Sequence, residues 1–130
     1  MHTSFFTQIV IVGAGGFVGS ALRFVVSGWA QRLAATGGFP YGTLLVNVLG
    51  CLLIGLLGGL AEYRQVLEPA QRLFLMIGIL GGFTTFSTFA YETLSLAQDA
   101  ELVKAALNTL LQVVLGFIAA FVGFAAARSL

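Results

Sequence analysis

Four long runs of apolar residues, at 5–28, 43–61, 73–97 and 105–127, alternate with three short stretches that hold most of the charged residues. Each run is long enough to cross a hydrocarbon core of about 30 Å as a helix rising about 1.5 Å per residue. The pattern predicts an all-α integral membrane protein, a single domain of four transmembrane helices over residues 1–130. The third run cannot be one unbroken helix. Its centre, GILGGFTTFSTF at residues 78–89, holds a glycine pair followed by hydroxyl residues among phenylalanines. Glycine weakens a helix interior by about 1 kcal/mol, and Ser and Thr side chains compete for backbone hydrogen bonds. A break near residues 81–85 is expected. Unwound backbone at membrane depth is tolerated only where protein buries it or where it lines a wet cavity, so the break is a candidate site.

Composition agrees with the pattern and narrows the chemistry. Of the 130 residues 58% are hydrophobic and 8% charged, against about 25% charged in a soluble domain. That leaves no room for a sizeable soluble domain; lipid is the surrounding partner and a multi-pass place in a membrane is expected. The first run lacks the preceding Lys or Arg of a signal peptide, so it reads as a retained helix. The single cysteine, Cys51, lies inside an apolar run and excludes an intrachain disulfide or a cysteine metal cage. A net charge of +1 offers no basic patch for nucleic acid. The only histidine is His2, and no nucleophile has a base at useful spacing, so the chain is not expected to be an enzyme.

Several residues stand out within the spans. Gly13, Gly16 and Gly19 are spaced like a dinucleotide-binding glycine loop, but the first acidic residue is Glu62 and no strand–helix alternation follows. In a membrane helix Gly15, Gly19 and Arg23 share one face, where small residues admit a neighbouring backbone, and Arg23 is expected near the helix end. Residues 29–41, with Gly37, Gly38 and Pro40, read as a loop; residues 62–72 and 98–104 read as the other two. Thr43 and Asn47 are one turn apart, as are Asn108 and Gln112. A buried amide needs partners, so Asn47 is either interhelical glue or a donor facing a wet path. Ser87 and Thr88 add hydroxyl donors after the break. Glu92, in the same segment, is either a functional carboxyl inside the membrane or one that reaches the interface.

Charge placement bears on assembly. Four spans put Arg64, Arg72 and Arg128 on one side and Arg23, Arg32 and Lys104 on the other. Three against three leaves almost no Lys/Arg bias to set topology, and a pair of oppositely inserted copies, an antiparallel homodimer, is expected.

The blocks GGFVGSALRF (15–24), PYGTLLVNVLG (40–50) and above all GGFTTFSTF (81–89), with Glu92 after it, resemble the small bacterial fluoride channels of the Fluc (CrcB) family over essentially the whole chain. The resemblance implies a dual-topology dimer of four-helix subunits that exports fluoride passively and so lowers its toxicity. It implies two fluoride pathways at the interface and a central structural sodium ion at the third-helix breaks. By motif position Phe86 and Phe89 match the phenylalanines lining the pathways, Asn47 the polar residue of the second helix, and Gly81 and Thr84 the main-chain carbonyls that hold sodium. Asn108 and Gln112 join the pathway on spacing alone. Hydroxyl and amide donors can replace the water of a small anion, phenylalanine edges carry the positive part of the ring quadrupole, and unwound carbonyls suit a hard monovalent cation. Two other classes compete. A proton-coupled exporter of small organic cations would carry its glutamate in the first helix, which has no acidic residue. A structural membrane subunit would leave the broken third span without a use.

Overall fold

A computed structural model describes residues 3–34 and 37–130; His2 and part of the first loop lie outside the described residues. Helix α1 (Phe5–Leu33) starts at Ser4, whose hydroxyl accepts the Thr7 N–H at 3.2 Å. It runs past Gly28 to Leu33, so residues 29–33 are helix and not the loop expected from sequence. The reason is local: Ala30, Gln31, Arg32 and Leu33 are good helix formers, and the first backbone breakers are Gly37 and Gly38, both at positive φ. This extension moves Arg23 into the helix interior, about 15 Å from its C-terminal end at the usual rise. The loop charges then divide as Arg64, Arg72 and Arg128 against Arg32 and Lys104, still a slight bias.

Gln31 joins the first two spans. Its amide donates to the Phe39 carbonyl at 3.0 Å and its oxygen accepts the Gly42 N–H at 3.1 Å, which caps the start of α2 (Tyr41–Tyr63). After residues 64–68, Pro69 opens a short α3 (Pro69–Arg72) with a capping box between Glu68 and Gln71. The chain then widens into a π-helical segment (Leu73–Leu80), closes with one α turn, α4 (Gly81–Phe83), and breaks. Thr84 (φ −89°, ψ 159°) and Thr85 (φ −153°, ψ 117°) are extended. Helix α5 (Phe86–Gln98) resumes the span, and α6 (Leu102–Ala126) completes the bundle. Residues 102–104, expected in a loop, open α6.

The break is narrower than residues 81–85. Gly81 and Gly82 are helical, and Gly82 serves contact instead of unwinding: a Cβ there would lie 2.7 Å from the Gly16 carbonyl oxygen. The π-helical widening was not legible in the sequence. It sits where the glycine face of α1 meets the third span, with a Cβ at Gly78 falling 2.8 Å from Gly15 Cα, and Cβ atoms at Gly15 and Gly19 running into the backbones of Phe74 and Ile79. Helices α2 and α6 pack as closely: Cβ atoms on Gly55 and Gly123 would strike the Ala120 and Leu52 carbonyls. With no hydrophobic drive between helices in lipid, such backbone contact holds the bundle together. Outward-facing Phe17, Phe24, Phe117 and Phe121 leave an apolar exterior.

Candidate functional site

The site grows from two residues that leave the helical path. The Thr85 N–H, which a continuing helix would give to the Gly81 carbonyl, donates instead to Asn47 Oδ1 at 2.8 Å. Asn47 Nδ2 returns a bond to the Thr85 carbonyl at 3.0 Å and gives another to Gln112 Oε1 at 2.9 Å. A side chain of α2 thus supplies both partners that the break takes from the Thr85 backbone. Thr84 keeps its N–H and its hydroxyl on the Leu80 carbonyl, at 3.0 and 2.9 Å. Thr85 Oγ1 accepts the Thr88 N–H at 3.2 Å and caps α5, with the hydroxyls of Thr88 and Ser87 at 3.0 and 3.4 Å.

Two cavities flank this break and Thr85 borders both. One, of about 360 Å³, is lined by Asn47, Thr84, Thr85, Phe86, Phe89 and Gln112 among others. Phe89 is buried and Phe86 is 78% exposed at the rim; their rings meet edge to face, centroids 5.4 Å apart. The other, of about 230 Å³, is lined by Ser20, Arg23, Ser27, Thr43, Thr85 and Thr88. Arg23 Nε is buried and, among the described residues, has no hydrogen-bond partner, so a cationic donor lies unspent at this cavity. A larger cavity of about 620 Å³ lies where the end of α2 meets α3, among Gln8, Glu62 and Arg72, and Met76 borders both it and the first.

The remaining sequence candidates fall in distinct places. Thr43 donates its hydroxyl to Glu92 Oε1 at 2.7 Å, joining α2 to α5, while Glu92 Oε2 is buried without a partner among the described residues. Ser87 is exposed beside Thr85. Asn108 is fully buried, donates to Thr93 Oγ1 at 2.9 Å, and lines neither of these two cavities; its amide faces α5. Gln112 does reach the first cavity. Sequence reasoning gave no separate role to Thr85, Thr93, Ser20 or Ser27; hydroxyls are common in membrane helices, and only the packing partners single these out.

One main-chain oxygen of α4 changes its bonding because of the break. Diverting the Thr85 N–H to Asn47 frees the Gly81 carbonyl from its helical bond, and a Cβ on Gly81 would meet nothing within 4 Å, so that position is open. Among the described residues no group of three or more His, Cys, Asp or Glu side chains could hold a metal.

A family profile described as CrcB-like protein, Camphor Resistance (CrcB), matches residues 10–124. A protein of Elusimicrobium minutum described as fluoride-specific ion channel FluC is 47% identical over 121 residues, 93% of this chain and 94% of its own length. Proteins of the same description from Nitratidesulfovibrio vulgaris and Geobacter sulfurreducens are 46% identical over 116 residues (89% of this chain, 93% of theirs) and 44% identical over 124 (95% and 99%).

Proposed function

The chain belongs to the CrcB-like family, and from that premise we propose that it is a fluoride-selective channel through which fluoride leaves the cell passively. One observation carries this: 47% identity across 93% of the chain to a protein described as a fluoride-specific ion channel. Membership also makes it a multi-pass membrane transport protein and not an enzyme.

Stripping a small anion of water for a low-dielectric slab costs of order 20 kcal/mol, so the path needs donors spaced along it. The side-chain donors beside the break suit that task. Arg23, Thr43 and Thr88 border the smaller cavity, with Glu92 bonded to Thr43 and Ser87 beside Thr85. Asn47 and Gln112 border the cavity of about 360 Å³ with Phe86 and Phe89, whose ring edges carry partial positive charge. Arg23 attracts the anion, and the amides and ring edges take over its solvation.

The functional unit of this reading is an antiparallel homodimer. The cavity of about 360 Å³ brings the amides of Asn47 and Gln112 to a largely apolar membrane face with Phe86 exposed at its rim, and hydrocarbon cannot solvate amides. A second copy would cover them, and the slight Lys/Arg bias permits opposite insertion. The same reading gives a sodium ion a structural place on the carbonyls of Gly81 and Thr84 from both copies, and the freed Gly81 carbonyl supports it. Bound there, sodium would supply positive charge that offsets converging carbonyl dipoles.

Vesicles reconstituted with the purified protein and loaded with fluoride test the activity. Rapid fluoride efflux with no chloride flux and no proton-driven uptake of organic cations is expected; chloride or cation flux without fluoride flux rejects the reading. A cysteine placed in residues 64–68, with Cys51 replaced, should label from both membrane faces, and labelling from one face alone rejects dual topology.

A further inference from the structure

The amide of Asn47 is oriented by a one-way chain of hydrogen bonds that begins two helices away. Thr93 gives its hydroxyl hydrogen to the Phe89 carbonyl at 2.8 Å, which leaves its Oγ1 only as an acceptor. Asn108 must therefore present its NH₂ to Thr93, at 2.9 Å, and its Oδ1 to the other side. There Oδ1 accepts from Gln112 Nε2 at 3.5 Å, so Gln112 turns its Oε1 toward Asn47. Gln112 Oε1 accepts from Asn47 Nδ2 at 2.9 Å, and the amide that results has one N–H and its oxygen left for the Thr85 carbonyl and N–H. Each amide has two ways to sit: the acceptor at Thr93 selects one for Asn108 and Gln112, and the Thr85 N–H at the far end, which can only donate, requires the matching one of Asn47. Reversing any member would set donor against donor or oxygen against oxygen along the line, leaving polar groups unpaired where water is scarce.

We propose that Asn108 is a positioning residue: with Thr93 it fixes, through Gln112, the orientation of the Asn47 amide and with it the extended backbone at Thr85. The residue lines neither cavity beside the break. It is fully buried between α5 and α6, yet it determines which face of Asn47 is donor and whether the wall between the two cavities keeps its shape. The link from this geometry to conduction rests on the proposed fluoride-channel reading; the link to Thr85 does not.

Two measurements on the full chain in lipid nanodiscs or vesicles separate these links: hydrogen exchange of the Thr85 amide by NMR, and fluoride efflux. Asn108→Leu, close in size and without polar atoms, should raise Thr85 exchange about tenfold, the scale of one lost hydrogen bond, while amides in the middle of α6 keep their protection. Thr93→Val should do the same, and Thr93→Ser, which keeps the hydroxyl, should restore wild-type exchange. The double variant Asn108→Leu/Gln112→Leu should slow efflux no more than the stronger single change, because both cut one chain. Unchanged Thr85 exchange in folded Thr93→Val or Asn108→Leu overturns the proposal, as do fully additive losses of efflux. Should Asn108→Leu not assemble, the Thr93 pair decides alone. If the wild type passes no fluoride, the channel reading fails while the exchange data still decide the relay.

Discussion

Asn47 and Thr85 are joined by two hydrogen bonds, the Asn47 oxygen taking the Thr85 N–H at 2.8 Å and its nitrogen giving to the Thr85 carbonyl at 3.0 Å. The third span can therefore break without leaving that residue's backbone unpaired in the membrane. Asn47→Leu removes both partners at once. Two backbone groups without partners should cost about 2 kcal/mol or more, and the break should lose its shape. A clear fall in thermal unfolding temperature together with efflux slowed at least about tenfold is expected, a barrier change near 1.4 kcal/mol. Wild-type values for both would mean that the break holds itself.

Close backbone contact between α1 and the π-helical segment makes a sharper test of packing. A Cβ at Gly19 would collide with the Ile79 carbonyl, a backbone atom that cannot swing aside, whereas a Cβ at Gly13 meets nothing within 4 Å. Gly19→Ala should destabilise by about 1 to 3 kcal/mol, as overpacking does. Gly13→Ala should be neutral or gain up to about 1 kcal/mol from helix propensity. Unfolding of both variants in the same detergent checks the contrast, and equal behaviour would argue against the close approach.

The contrast between Gly81 and Asn47 shows what the sequence could and could not convey. Four spans and an interruption in the third follow from hydrophobic runs and from glycine and hydroxyl residues, which are local signals. Where the chain leaves the helix is not local: Gly82 stays helical because α1 packs onto it, while Thr84 and Thr85 open because an α2 side chain receives Thr85. The extension of α1 to Leu33 is carried by helix-forming residues at 30–33, whereas the turn residues Gly37, Gly38 and Pro40 make the whole of 29–41 read as a loop. Asn47 and Asn108 read alike as lone amides in apolar helices, and only partners contributed by distant positions separate the one that borders a cavity from the one that does not.

Phe86 and Phe89 share a cavity and should respond differently to one substitution. Phe89 is 9% exposed and Phe86 78%, and their rings meet edge to face. Phe89→Ile should lower stability by about 1 kcal/mol, from lost core packing, and slow efflux as well. Phe86→Ile should leave the unfolding of the isolated chain unchanged while slowing efflux, because in the proposed path its ring edge faces the anion. Efflux at the wild-type rate in both variants would return the rings to ordinary packing.

The carbonyls after α4 lead to the last prediction. With the Thr85 N–H committed to Asn47, the Gly81 carbonyl has lost the donor that a continuous helix would supply, and the residue borders the cavity of about 360 Å³. In a membrane that oxygen needs a positive partner. Two copies meeting about a twofold axis would bring Gly81 and Thr84 oxygens from each chain together, a neutral set suited to a hard monovalent ion and poor for a divalent one. Exchange of sodium for N-methylglucamine is therefore expected to weaken the dimer and to abolish efflux, and returning sodium should restore both. Thr84→Val should tolerate the exchange no worse than wild type, since it removes only the hydroxyl bonded to Leu80 and leaves the main-chain oxygen in place. Dimers that persist and conduct equally in N-methylglucamine would remove sodium from the account and leave the Gly81 oxygen to water.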